Sequence, residues 1–111
     1  MAAKTKVLPP ETFAERKRAI GILRAHETDL RALGVGRLWL FGSIARGDAG
    51  PRSDVDVMIA VPAGRKFSLF DLGEVRVEIC ELLDREVDVV IEEDLRPDFR
   101  DDIASDLVGV F

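Results

Sequence analysis

The 111-residue sequence predicts an α+β fold, a small mixed β-sheet with flanking helices. Three observations carry that expectation. Apolar residues recur at helical spacing along residues 12–33 and again along 69–83. Strict two-residue alternation puts Val55, Val57, Ile59 and Val61 on one face of a strand. Two further short apolar runs, 38–41 and 87–91, are strand-sized.

Length and composition narrow the possibilities. A chain of 111 residues suits one domain, 1–111, with residues 1–10 expected as a flexible leader. An apolar share of 47% and a charged share of 33% fit a globular chain. No apolar run approaches the roughly 18 residues a membrane span needs, and the start lacks a signal-like apolar segment. A cytoplasmic protein without membrane contact is therefore expected. The net charge of −5 argues against direct nucleic-acid binding, which depends on many Lys and Arg contacts to phosphate. Cys80 has no partner for a disulfide, and with only His26 beside it soft-metal chemistry is improbable. Carboxylates around a hard cation remain open.

The elements follow in order. Thr12-x-x-Glu15, after Pro9-Pro10, reads as a capping box opening a helix over 12–33. Its stripe is Phe13, Ile20, Leu23, Leu30 and Leu33, and Gly34 and Gly36 stop it. Leu38-Trp39-Leu40-Phe41 is a strand, Gly42-Ser43 a turn, and residues 43–47 begin a short helix. Residues 48–53 form a loop, and the next strand carries Asp54 and Asp56 on one face. Ser68-x-x-Asp71 caps a second long helix with Leu69, Leu72, Val75, Ile79, Leu82 and Leu83 as its buried stripe. Val87–Ile91 is a third strand, 98–106 a short helix, and 107–111 an edge strand or a docked tail.

The chemistry concentrates in two places. Side chains at i and i+2 on a strand point the same way, so Asp54 and Asp56 can share cations. If the strand 87–91 lies alongside, Asp88 joins them, and three carboxylates suit two Mg²⁺ ions about 3.5–4 Å apart. Gly42 permits close backbone approach, while Ser43 offers a hydroxyl and an amide at a helix start that favours an anion. Arg46 could add charge to a phosphate oxygen, or could pair with Asp48 or Asp54. The Walker A spacing is missing.

Neither feature means much alone. Asp-x-Asp is common on solvated strand faces, and Asp88 is either a ligand or an edge residue. Their order is what signifies, with a phosphate-type turn after one strand, ten residues, then the acids opening the next. Elsewhere the bland readings prevail. His26 is solvated, Cys80 and Trp39 are packing, and Glu92-Glu93-Asp94 is an exposed turn. Arg16-Lys17-Arg18 is a solvated helix face, or a patch for an acidic partner.

The pattern Phe-Gly-Ser-x-Ala-Arg-Gly from Phe41 to Gly47, then Ser-Asp-x-Asp from Ser53 to Asp56 and Asp88 later, resembles the DNA polymerase beta-type nucleotidyltransferases. Within that superfamily it is similar to the minimal nucleotidyltransferases, the MNT or MntA-type antitoxins, from about Gly36 onward. The resemblance implies that Asp54, Asp56 and Asp88 are catalytic Mg²⁺ ligands and that Gly42 and Ser43 hold the triphosphate. It further implies ATP as donor, AMP as the transferred group and, as partner and acceptor, a tyrosine on a cognate HEPN-domain ribonuclease toxin. Two alternatives use the same chain: an antitoxin that blocks its toxin by binding alone, or a transferase for an aminoglycoside-like small molecule.

Overall fold

The computed structural model describes residues 10–48, 50 and 53–111. The expected leader, up to residue 9, lies outside the described residues, as does the side chain of Thr12. The first helix, α1, runs Pro10–Ala25. It starts two residues before Thr12, with proline in its first turn, so Thr12 is not the cap. The single helix expected over 12–33 is two. After a turn at His26, α2 continues over Glu27–Ala32. The amide of His26 is shared between the carbonyls of Ile22 and Leu23, and its own carbonyl accepts from Leu30, so the stripe survives the break. Leu23 and Leu30 on either side of it are fully buried.

Strand β1, Arg37–Phe41, leads directly into the five-residue helix α3, Gly42–Arg46. Strand β2 spans Val55–Ala60, helix α4 Leu69–Leu83 and strand β3 Val87–Ile91. A 3-10 turn at Glu92–Asp94 precedes α5, Pro97–Ala104, and the two-residue strand β4, Val108–Gly109. The sheet order is β3-β2-β1-β4, with β2 and β3 parallel and the other pairs antiparallel. The mixed sheet expected from sequence is present, and the C-terminal segment is both edge strand and docked tail. Beyond β4, Val110 is buried and its carbonyl accepts from Arg24 Nε at 2.8 Å.

Two clusters of buried residues occupy the two sides of the sheet. The larger joins Leu38, Leu40, Val57 and Ile59 to Leu23 of α1 and Val75, Ile79 and Leu83 of α4. The smaller joins Phe41 and Met58 to Ile103 of α5, and Phe99 stacks edge-on to Phe41 with centroids 6.2 Å apart. The capping box of α4 is as expected. Ser68 accepts from the Asp71 amide, and Asp71 accepts from the Ser68 amide at 2.7 Å. One member of its expected stripe is displaced, because Leu69 is 84% exposed. The helix turns Val75, Ile79 and Leu83 inward, and Leu69 falls on the far side of its first turn.

Candidate active site

Strand alternation places the acids. Val55, Val57 and Ile59 of β2 enter the larger cluster, whereas Met58 enters the smaller one. Asp56, two residues before Met58, therefore shares its face. Across the ladders Asp56 is the register partner of Asp88 on β3 and of Phe41 on β1. Adjacent strands lie about 4.8 Å apart, so Asp56 stands between Asp88 on one side and the start of the Gly-Ser turn on the other. Asp54 immediately precedes β2, and its backbone neighbour Ser53 is pinned by Arg85, whose Nη1 donates to the Ser53 carbonyl at 2.8 Å.

The turn and the acids are in contact. Gly42 has φ +75°, and a Cβ placed on it would sit 2.1 Å from Asp56 Oδ2. A side chain at position 42 would oblige the Asp56 carboxylate to turn away and would be strained at this φ, so glycine preserves the present arrangement. Phe41 is extended and no side chain caps α3, so its first amides are not occupied by a capping group. At the other end of α3, Gly47 has φ +82° and lies on the Phe13 ring, 2.6 Å from where its own Cβ would be.

The electrostatics follow from the arrangement. Partial burial pushes the Asp56 carboxyl above the ordinary carboxylate value, and the charges of Asp88 and then Asp54 push it further, with Arg46 opposing. Negative potential is thus focused at one point of the sheet. Among the described residues, no three acid, His or Cys side chains are already converged as ligands of one ion. The donor set itself fits a hard cation, being all carboxylate oxygen on adjacent backbone positions. The register sets Asp56 and Asp88 side by side, and Asp54 lies one residue before the strand.

Arg46 realises one of its two expected pairings and adds another. Its Nε donates to Asp48 at 3.1 Å and its Nη1 to Asp106 at 2.9 Å, and no pair with Asp54 forms. These hydrogen bonds, Asp106 first, raise the guanidinium pKa further. The cation is therefore held beside the turn, and it is exposed.

Four supporting side chains escaped the sequence reading. Arg16 Nη1 donates to the Ala45 carbonyl at 2.9 Å and its guanidinium covers Phe13, bracing α3 from α1. Arg18 likewise reaches the Leu83 carbonyl at 3.4 Å. Two of the three residues read as a solvated basic face are thus tied to backbone. Arg85 bridges Ser53 to Glu15, the latter at 3.1 Å, and Asp106 anchors Arg46. These partners lie 29, 32 and 60 positions from the residues they hold at Ala45, Ser53 and Arg46, and no local motif announces them. Cys80 and Trp39 pack against the two clusters as expected. His26 sits half-exposed at the helix junction, 3.4 Å from Asp29.

With this geometry in place, comparison with known families is decisive: residues 23–110 match the nucleotidyltransferase domain. The chain belongs to that family. It is 34% identical over 95 residues to a Methanocaldococcus jannaschii protein named "putative protein adenylyltransferase", covering 86% of this chain and 92% of that one. A solved structure described as a "putative minimal nucleotidyltransferase" is 31% identical, with a TM-score of 0.62 over 80% of this chain and 93% of the other. The fold also matches a chain from a tri-AMPylated Shewanella oneidensis HEPN toxin in complex with MNT antitoxin, at 15% identity and a TM-score of 0.60, covering 83% and 71% of the two. The chain is therefore a nucleotidyltransferase, similar to a minimal one of known structure, and the family resemblance read from its motif holds. Among the described residues no helix is long and apolar enough to cross a membrane.

Proposed function

We propose that this protein transfers AMP from ATP to a tyrosine hydroxyl of a cognate HEPN ribonuclease toxin, in a Mg²⁺-dependent cytoplasmic reaction, and so acts as its antitoxin. The observation that carries the reading is the register of Asp56 against Asp88, with Asp54 at hand and Gly42 close against the same carboxylate. The name of the M. jannaschii relative and the AMPylated toxin of the S. oneidensis complex supply the acceptor class.

Each residue has a task in that reaction. The amides of Gly42 and Ser43, with the Ser43 hydroxyl, take the triphosphate oxygens, and Arg46 adds a fixed positive charge at the end of α3. Asp54, Asp56 and Asp88 are the residues that would hold two Mg²⁺ ions, which when bound would neutralise the triphosphate and lower the pKa of the attacking hydroxyl. The tyrosine oxygen forms its bond to the α-phosphorus as the bond from that phosphorus to the pyrophosphate oxygen breaks. The phenolic proton passes to the exposed carboxylate of Asp88, and pyrophosphate leaves.

The test is incubation with labelled ATP, Mg²⁺ and the protein encoded beside this one, followed by intact mass of both chains. Mass gains in AMP steps on the neighbour are expected. Asp56→Asn should cut the rate by roughly 10³-fold or more, the several kcal/mol that metal-held charge supplies. Undiminished transfer by folded Asp56→Asn protein overturns the catalytic assignment. Steric neutralisation is a second reading, favoured by the exposed Leu69 and Phe70 on α4. Toxin suppression that survives Asp56→Asn at equal expression selects it.

A further inference from the structure

We propose that the outer face of α4 is a docking groove for a partner segment that enters as an amphipathic helix with an apolar stripe flanked by Lys and Arg. The proposal rests on the reading above only for there being a protein partner. The groove, about 590 Å³, is lined by Leu33, Leu69, Phe70, Gly73, Val77 and the glutamates 74, 78 and 81.

Three observations define its occupant. Leu69 and Phe70 are 84% and 86% exposed and Val77 51%, on a helix whose opposite side is fully buried. Adjacent large apolar residues left this bare mark a surface that another molecule covers. Positions 70, 73 or 74, 77 and 81 recur at helical spacing, which gives a stripe suited to a second helix. Next, the charged residues of the lining are all glutamates, with no Lys or Arg among the described residues. An acidic rim around an apolar floor selects a basic flank and repels an acidic one or an anionic membrane. Lastly, Gly73 is exposed in mid-helix, and a Cβ added to it would meet nothing within 4 Å. No contact among the described residues needs glycine there, although glycine weakens a helix interior relative to alanine. A bare Cα on the groove floor lets a partner helix approach closely.

The groove is separate from the chemistry. α4 packs through Val75, Ile79 and Leu83 on the larger cluster, whereas Asp56 shares a face with Met58 in the smaller one. The two sites therefore lie on opposite sides of the sheet. A docked partner presents its acceptor on a different segment, and holding is independent of transfer.

The test uses the full chain and two synthetic amphipathic peptides of about five helical turns, one of Leu, Ala and Lys, the other with Glu for Lys. Affinity is read by calorimetry and location by hydrogen exchange along residues 69–83. The Lys peptide is expected to bind and slow exchange in α4, and the Glu peptide to bind at least about tenfold more weakly. Phe70→Asp adds negative charge at an exposed position, so it would strengthen mere charge attraction. Here it is expected to weaken Lys-peptide binding about tenfold or more. Gly73→Ala is expected to raise Tm by a few degrees while weakening the peptide, two changes of opposite sign.

Equal binding of the two peptides, no binding, or Lys-peptide affinity unmoved by Phe70→Asp or Gly73→Ala overturns the proposal. So does self-association that Phe70→Asp abolishes, which would assign the groove to a second copy of this chain. None of these readouts involves ATP or AMP transfer. A failed transfer assay therefore leaves the groove standing, and a failed peptide titration leaves the enzyme standing.

Discussion

On the side covered by α1 and α4, the sheet gives Leu38, Leu40, Val57 and Ile59 to a cluster of sixteen buried residues. On the side covered by α5, among the described residues only Phe41, Met58 and Ile103 are buried, with Trp39, Val90, Leu95 and Leu107 partly so. The same strands thus serve two purposes through their alternation. One face is filled with aliphatic side chains and holds the fold together. The other is half-covered, and its open end is where Asp56 and Asp88 stand together. Chemistry that needs charge and access is kept off the face that needs neither.

Truncations on each face measure that division. Leu40→Ala, at a fully buried position, should cost roughly 2–5 kcal/mol in urea or thermal unfolding. Phe99→Ala, at a residue 39% exposed over the smaller cluster, should cost under about 1 kcal/mol. Equal losses would mean that the α5 face carries as much of the stability as the other. The next effect lies between these two in stability and falls on the junction between turn and acids. Gly42→Ala forces a Cβ into the Asp56 carboxylate at a left-handed backbone position, which costs about 1–2 kcal/mol for the conformation alone. AMP transfer should fall by much more than that loss of stability implies, because Asp56 must move. Wild-type transfer by this variant would show that the contact is incidental.

The smallest effect concerns charge. The raised pKa of Asp56 means that the folded protein holds the proton more tightly than the unfolded chain does. Stability linked to this group is complete below the ordinary carboxylate range and is lost as pH rises through the raised value. At neutral pH the ionised group is then a cost, kept small by solvent screening. Asp56→Asn should therefore raise Tm slightly at pH 7 in metal-free buffer, with the gain vanishing on acidification. A lower Tm at pH 7 would contradict the like-charge account of the site.

How far these features were legible depended on their range. The capping box at Ser68 and Asp71, the alternation of β2 and the glycine turn are written within a few adjacent residues, and each was readable. The break at His26 was not, because the apolar stripe runs through it and neither Gly nor Pro marks it. Pro10, not Thr12, opens α1 because proline suits the first turn. Leu69 fits a helical stripe by spacing, yet burial depends on what α4 faces, and spacing does not report that. The braces from Arg16, Arg85 and Asp106 join distant parts of the chain to the motif, so only the folded backbone brings them to it.

The pairing of Asp56 with Asp88 also guards the assembly of the sheet. Slipping β3 by one residue would turn Asp88 toward α1 and α4 and bury an unpartnered carboxylate among Leu, Ile and Val. Val87 and Val89 would at the same time be delivered to the half-open face. A misaligned strand is therefore both inactive and expelled by its own charge, and Asp88 works as a key that admits one alignment of β3.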